Sequence, residues 1–129
     1  MTSPIPDRQP FEDLIAWQRA HPLFLEVYRL TKRWPVEERY GLTSQTRRAA
    51  FSVAANIVEG NAKRGSGELR KFLDISVSSL AELRYAVRAA RDLGYSSQES
   101  LAEFHSLATE TGKLLWGLLK QVGKRKGPP

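Results

Sequence analysis

Reactive residue types are scarce in this 129-residue chain, which has no cysteine, one methionine and two histidines. Without cysteine, the chain can form no disulfide, no thiolate zinc or iron–sulfur site and no cysteine nucleophile. No apolar run approaches the ~18 residues of a membrane span, and the N-terminus lacks the apolar core of a secretory signal. The sequence therefore predicts a cytoplasmic protein with no membrane segment.

Patterns typical of enzymes are also few. His21 and His105 have no metal-ligand partner three or four residues away, so no metal site is predicted. Gly60 and Gly65 have the spacing of P-loop glycines, but Ser66 stands where the phosphate-binding lysine is required and no strand precedes the loop. We find no catalytic constellation, and we predict a non-enzymatic protein without a cofactor.

The chain is basic, with 20 Lys and Arg against 14 Asp and Glu and a net charge of +6. Its 41% hydrophobic content is too high for a disordered chain, and its length suits one domain. We predict an extended N-terminal arm over residues 1–10, a helical domain over residues 11–123 and a disordered basic tail over residues 124–129. The net charge favours an anionic partner, and RNA or DNA is the leading candidate.

Apolar and small residues recur at alternating spacings of three and four, the pattern of helices that bury one face. The pattern occupies four segments, from about Asp13 to Trp34, Gly41 to Ala62, Ser66 to Leu93, and Ser96 or Ser97 to Val122. Pro22 interrupts the first segment without shifting its phase, so we predict one kinked helix there. Ser66 is the predicted N-cap of the third helix, and Ser96 with Glu99 has the spacing of a capping box.

Four amphipathic helices with short connections predict an all-α fold, an antiparallel up-down four-helix bundle. The predicted seams of the first two helices are Trp17, Ala20, Phe24, Val27, Thr31 and Trp34, and Leu42, Thr46, Ala49, Val53, Asn56 and Gly60. Those of the last two are Leu69, Leu73, Ser76, Leu80, Leu83, Val87 and Ala90, and Leu101, Phe104, Ala108, Thr111, Leu115, Leu118 and Val122.

The second helix carries a second apolar row, made of Phe51, Ala55, Val58 and Ala62. Phe51 lies about 200° around the helix from the seam, so this row needs a burial partner of its own. We interpret the row as a subunit interface. Leu23, Leu30 and Ile75 also fall outside the predicted seams; the alternative is that these residues and the row are ordinary exposed apolar side chains.

Two polar residues on the second helix have open roles. Asn56 lies on the seam, where a polar side chain can fix register. Glu59 has the spacing for an ion pair with Lys63. Both are interpreted as structural polar residues, and the alternative is a functional pair beside the Gly60–Gly67 loop.

The basic residues suggest a phosphate-binding surface. Arg84, Arg88 and Arg91 share one face of the third helix at spacings of four and three. Further candidates are Arg47 and Arg48 near the start of the second helix, and Lys63 and Arg64 in the loop that follows it. The alternative is an ordinary solvated charged face, in which cations near helix C-termini complement the helix dipole.

Several ordered motifs resemble the four-helix bundle family of 23S rRNA intervening-sequence proteins, which includes the accessory protein of diversity-generating retroelements. The motifs are FEDLIAWQRA (11–20), YGLTSQ (40–45), RRAA (47–50), ANIVEG (55–60), LAEL (80–83) and RDLGY (91–95). The resemblance covers residues 11–122 and implies a non-enzymatic up-down bundle that assembles as a homopentameric ring. The retroelement member binds nucleic acid and a reverse transcriptase, so a reverse transcriptase is a further expected partner if this chain is retroelement-associated.

Three functions remain open at this point. The first is an oligomeric nucleic-acid-binding module, indicated by the net charge and the arginine stripe. The second is a protein–protein interaction scaffold with no nucleic-acid role, indicated by the second apolar row. The third and weakest is a hydrolase that uses Glu59 with His21 or His105, which would need those side chains in one cleft.

Overall fold

The computed structural model describes residues 8–63 and 65–125 of the chain. Within these residues the chain forms four α-helices and no strand, which confirms the predicted all-α class. The helices are α1 (Ile15–Thr31), α2 (Leu42–Ala62), α3 (Ser66–Asp92) and α4 (Ala102–Arg125). Short 3₁₀ turns lie at Pro10–Asp13, Val36–Glu38 and Glu99–Leu101. None of the described helices is both long and apolar enough to cross a bilayer.

The predicted segment boundaries differ from the observed ones by a few residues. The predicted N-terminal arm ends inside the first 3₁₀ turn, and α4 runs to Arg125, beyond the predicted domain boundary at residue 123. The rest of the arm, residues 1–7, and of the tail, residues 126–129, lie outside the described residues. Pro22 lies within α1 without ending it, as the unbroken phase of the apolar pattern predicts.

The four helices pack in a closed order around one core. α1 contacts α2 and α4, and α3 contacts the same two helices, so each helix has two neighbours. The α3 seam is confirmed from Leu73 to Ala90, where Leu73, Leu83 and Ala90 are at most 1% exposed. On α2 two predicted seam residues, Leu42 and Asn56, are only half-buried, and Ile57 is buried in place of Asn56.

Leu23 and Leu30, which fall outside the predicted seams, are nevertheless buried, at 0% and 4% exposed. A helix with two neighbours buries a broader stripe than the single heptad seam assumed from the sequence. Ile75, by contrast, is 38% exposed and lies outside the core.

Two predicted helix starts are wrong in detail. Gly65 is the N-cap of α3, and Ser66 is the first helical residue. Ser96 caps no helix: the next helical turn has Gln98 as its N-cap, and Ser96 Oγ accepts a hydrogen bond of 2.8 Å from Trp34 Nε1. The α3–α4 connection begins instead with a Schellman turn, in which Tyr95 N bonds to Ala90 O and Gly94 has a φ of 85°.

A carboxylate fixes the α1–α2 connection against the α3–α4 connection. Glu38 Oε1 accepts from the first backbone N–H of α2, Leu42 N, at 3.0 Å, and Oε2 accepts from the Tyr95 hydroxyl at 2.8 Å. A Cβ at Gly41 would lie 2.9 Å from Glu38 Oε1, so glycine leaves room for this arrangement. The bond from Leu42 N, followed by that from Tyr95, holds the pKa of Glu38 below its ordinary value.

Hydroxyl groups join α2 to α3. Ser76 Oγ donates to Val53 O, and the hydroxyls of Ser52 and Ser79 share a hydrogen bond, each at 2.6 Å. At Gly60 a Cβ would lie 3.0 Å from Leu69 Cδ1, so the absence of a side chain here allows α2 and α3 to approach closely. These contacts hold the two helices in a fixed register.

Thr111 provides a stability test of the core. It is 0% exposed, and its Oγ1 has no hydrogen-bond partner among the described residues. Thr111→Val removes a buried unsatisfied hydroxyl and should raise the free energy of unfolding by about 1 kcal/mol in urea denaturation. Thr46 is the matched control, because it is equally buried but its hydroxyl donates to Leu42 O at 2.6 Å. Thr46→Val should give no such gain, and a less stable Thr111→Val protein would contradict the prediction.

Glu38→Ala should lower the Tm at neutral pH, because Leu42 N–H and Tyr95 O–H both lose their acceptor. The folded-state pKa of Glu38 is lowered, so its contribution to stability is complete above the unfolded-state pKa and is lost as the pH falls through the folded-state pKa. The Tm difference from the unsubstituted protein should therefore shrink from about pH 7 to about pH 3. Glu37→Ala removes the exposed neighbouring carboxylate as a control, and a pH-independent Tm difference for Glu38→Ala would refute the assignment.

Candidate interaction surfaces

A groove of about 710 Å³ lies between α3 and α4. We call it the α3–α4 groove. Its lining comes from one face of each helix: Val77, Leu80, Ala81 and Arg84 of α3, and Thr109, Gly112, Lys113, Trp116, Gly117 and Lys120 of α4. The lining positions recur at helical spacings of three and four, so the groove follows both helices.

The groove is positively charged. Arg84, Lys113 and Lys120 line it, and no lining residue is acidic. Among the described residues, none of these three cations forms an ion pair. A cleft lined by charge of one sign focuses the potential, so the groove attracts anions.

Trp116 adds an exposed aromatic surface to the groove and is 57% exposed. Gly112 and Gly117 lie on either side of Trp116 along α4, and no side chain projects into the groove from these two positions. A Cβ at Gly117 would meet no atom within 4 Å, whereas at Gly112 it would lie 3.4 Å from Leu80 Cδ2. Arg84 Nη2 lies 3.9 Å from that same Gly112 position, so the guanidinium extends from α3 towards α4.

Among the residues of this groove, only Arg84 was predicted from the sequence as a binding residue. The missed residues Lys113, Trp116 and Lys120 follow one another at spacings of three and four on α4. That spacing, together with Gly112 and Gly117, was the available signal.

The other members of the predicted arginine stripe do not line the α3–α4 groove. Arg88 Nε lies 3.2 Å from Asp92, and Arg91 Nη2 lies 3.3 Å from the same carboxylate. One acidic group therefore offsets part of the charge of both arginines. The stripe is divided into an unpaired Arg84 and a pair that shares Asp92.

The remaining predicted cations lie at separate places. Arg47 Nε donates to Thr31 Oγ1 at 2.8 Å, and its guanidinium carbon lies 4.3 Å from the centre of the Tyr28 ring. Arg48 is exposed and lines a small pocket between α2 and α3. Lys63 Nζ lies 5.5 Å from the Phe72 ring. Arg64 lies outside the described residues.

Of the two polar residues singled out on α2, Asn56 and Glu59, only the Asn56 side chain forms hydrogen bonds that join it to its neighbours within the described part of the chain. Asn56 Nδ2 donates to Ser52 O at 2.8 Å and to Ser52 Oγ at 3.0 Å, and so joins the hydroxyl contacts between α2 and α3. Glu59 is exposed, and the ion pairs of the described residues do not include one between Glu59 and Lys63.

Aromatic side chains form a continuous ladder on α1 and α2. The ladder, here called the aromatic face, consists of Trp17, His21, Phe24 and Tyr28 on α1 and Phe51 on α2. Trp17 stacks on His21 at 4.9 Å between ring centres, and Phe24 packs against Tyr28 at 5.0 Å and against Phe51 at 6.0 Å. The ladder spacing of four, three and four was present in the sequence.

The predicted interface row continues from the aromatic face along α2. Phe51 is 61% exposed, Ala55 and Val58 are half-buried, and Ala62 is exposed. Leu25, next to the ladder residue Phe24, is 53% exposed. The described part of one chain therefore leaves an apolar surface uncovered where the row was predicted.

The two histidines have aromatic neighbours. His21 lies in the aromatic ladder, and His105 packs against the Phe104 ring at 5.4 Å. Within residues 8–63 and 65–125, no group of three or more His, Asp and Glu side chains is close enough to hold a metal ion.

Comparison with known proteins agrees with this fold. The sequence model of the family described as 23S rRNA-intervening sequence protein matches residues 12–117, whereas no curated protein matches the chain. A similar solved structure is the crystal structure of a protein with unknown function from the S23 ribosomal protein family of Bacteroides thetaiotaomicron, with a TM-score of 0.76 and 20% identity. The match covers 82% of this chain and 96% of that one, and at this identity it shows the fold alone. Because the family match spans most of the chain, the protein belongs to the 23S rRNA-intervening sequence protein family.

Proposed function

We propose that this chain is the protomer of a cytoplasmic, non-enzymatic homo-oligomer that binds nucleic acid through the α3–α4 groove. The observation that carries the proposal is the cluster of Arg84, Lys113 and Lys120 in a groove with no acidic lining residue. Phosphate contacts by Lys and Arg dominate nucleic-acid affinity and make it salt-dependent. Unpaired cations beside an exposed tryptophan are the side chains that such binding uses.

The proposed bundle is antiparallel and up-down. The hydrogen bonds of Trp34 with Ser96 and of Glu38 with Tyr95 support this arrangement, because they join the α1–α2 connection to the α3–α4 connection. In an up-down bundle these two connections lie at the same end.

The proposed assembly is a ring of five subunits that meet through the aromatic face and the Phe51 row. The pentameric number comes from the family resemblance, and the exposed Phe51 and Leu25 support the position of the contact. Contiguous apolar surface of this kind is typical of protein–protein contacts. Five copies of a chain with net charge +6 would also concentrate positive charge in one particle.

A second function is favoured by the same aromatic face. A scaffold that binds another protein through the aromatic face, without a nucleic-acid role, also accounts for its exposed side chains. It leaves the unpaired cations of the α3–α4 groove unexplained, so we rank it second.

Substitutions at Gly117 test nucleic-acid binding without disturbing the fold. A side chain here enters open space, and replacing glycine inside a helix should stabilise it. Gly117→Glu places a carboxylate among the groove cations, whereas Gly117→Gln adds the same volume without charge. In fluorescence anisotropy with labelled RNA and DNA, we expect Gly117→Glu to weaken binding about tenfold relative to Gly117→Gln.

The unsubstituted protein should also lose affinity steeply between about 50 and about 200 mM salt. Absence of binding at low salt, or binding that does not respond to salt, would remove nucleic acid from the proposed function. If the two Gly117 variants bound nucleic acid with equal affinity, the binding surface would lie outside the α3–α4 groove.

Substitutions at Phe51 test the proposed assembly. Light scattering should give a mass of five 14.6 kDa protomers for the unsubstituted chain. Phe51→Glu should yield monomers with an unchanged circular dichroism spectrum, because Phe51 is 61% exposed in the isolated fold. Phe51→Leu keeps an apolar side chain there and should remain assembled. A monomeric unsubstituted protein, or an oligomeric Phe51→Glu protein, would exclude this interface.

A further inference from the structure

We propose that the α3–α4 groove selects single-stranded nucleic acid by stacking an unpaired base on Trp116 while Lys113, Lys120 and Arg84 hold the adjacent phosphates. This inference rests on the proposed function and makes it more specific, because cation–phosphate contacts alone would serve a duplex equally well. The distinguishing group is the indole of Trp116.

The arrangement along α4 places aromatic and cationic groups in alternation. Lys113 precedes Trp116 by one helical turn and Lys120 follows it by one, so the two ammonium groups flank the indole. Seven residues of helix separate the two lysines by about 10 Å along the axis. A strand that follows α4 therefore meets a cation, a ring and a cation in succession, with Arg84 opposite on α3.

The surroundings of Trp116 leave its ring available. The side chain is 57% exposed, and the aromatic contacts of the described residues do not include it. A Cβ at the adjacent Gly117 would meet no other described part of the protein within 4 Å, so there is open space beside the indole. The other two tryptophans are less accessible, since Trp34 is 5% exposed and Trp17 is half-buried in the aromatic face.

A duplex cannot use this ring as a single strand can. Its bases are paired and stacked, so their faces reach a side chain only after a step is unstacked. A single strand offers unstacked bases, and base–aromatic stacking is tolerant of sequence because every base has a π-face. The charge of the groove fits any polyanion, and Trp116 adds a preference for strands with free base faces.

Substitution of Trp116 gives the direct test. The probe is a labelled single-stranded RNA of about 12 nucleotides, compared with the duplex of the same sequence. Trp116→Ala should weaken single-strand binding about 5- to 150-fold and leave duplex binding nearly unchanged. Trp116→Phe keeps a smaller ring and should retain part of the affinity. Tyr40→Ala is the matched control, because Tyr40 is 89% exposed and lies outside the α3–α4 groove.

Intrinsic fluorescence provides a second readout that does not depend on affinity. Single-stranded RNA should quench the tryptophan emission of the unsubstituted protein, because a stacked base contacts the most exposed of the three tryptophans. In the Trp116→Phe variant, RNA at a concentration that saturates the variant should no longer quench the tryptophan emission.

The flanking lysines are tested by the salt dependence of single-strand binding. The double variant Lys113→Ala/Lys120→Ala should lower the slope of log affinity against log salt by about 1.4, the value for two phosphate contacts to a single strand. Arg70→Ala/Lys71→Ala removes the same charge from exposed positions of α3 outside the groove and should leave the slope unchanged.

The outcomes separate this inference from the proposed function. If the unsubstituted protein binds RNA in a salt-dependent way but Trp116→Ala matches it, or duplex is bound as tightly as single strand, the stacking inference is wrong and nucleic-acid binding stands. If no nucleic acid is bound, both are wrong. If Trp116→Ala instead loses the oligomeric mass in light scattering, the groove is a contact between subunits and the inference is overturned.

Discussion

Each helix of this bundle packs against two neighbours and buries the apolar side chains that face them. The side chains outside this buried stripe stay exposed and are the ones available for binding. On α1 the burial of Leu23, Val27 and Leu30 shows how broad that stripe is. The stripes leave two kinds of exposed surface where neighbouring helices meet. One is the aromatic face of α1 and α2, and the other is the α3–α4 groove.

The helices and most of the core follow from the sequence, because heptad spacing directly reports which side chains face inward. The width of the buried stripe does not follow from the sequence, because it depends on how many neighbours a helix has. For this reason Leu23 and Leu30 fall outside the predicted seams although they are buried. The predicted start at Ser66 differs from the observed one by a single residue, whereas Ser96 instead bonds to Trp34, a long-range contact that local spacing does not reveal. Arg84 was predicted from the spacing on its own helix, but Lys113 and Trp116 lie about 30 positions further along the chain, so their place beside Arg84 depends on the packing of α3 against α4.

The two surfaces differ in chemistry and lie on opposite sides of the core, because α1–α2 and α3–α4 are opposite pairs in the packing order. If both patches that a ring contact requires lay on α1 and α2, assembly would leave the cationic groove open in every subunit. Self-association and anion binding would not compete for the same side chains. A ring built this way would display several equivalent grooves, and a strand that reached two of them would bind more tightly than to one.

Arg47 gives the aromatic face a chemical requirement beyond shape. Its guanidinium lies over Tyr28 and donates to Thr31, so a neighbour that covers this ring in the observed arrangement would also cover the guanidinium. A neighbour that buries Tyr28 must supply a carbonyl or carboxylate oxygen to the remaining N–H groups, because an unpaired buried guanidinium is strongly destabilising. A purely apolar partner surface would leave the guanidinium without an acceptor and would bind weakly. Arg47 therefore favours partners that place an oxygen acceptor beside the aromatic face.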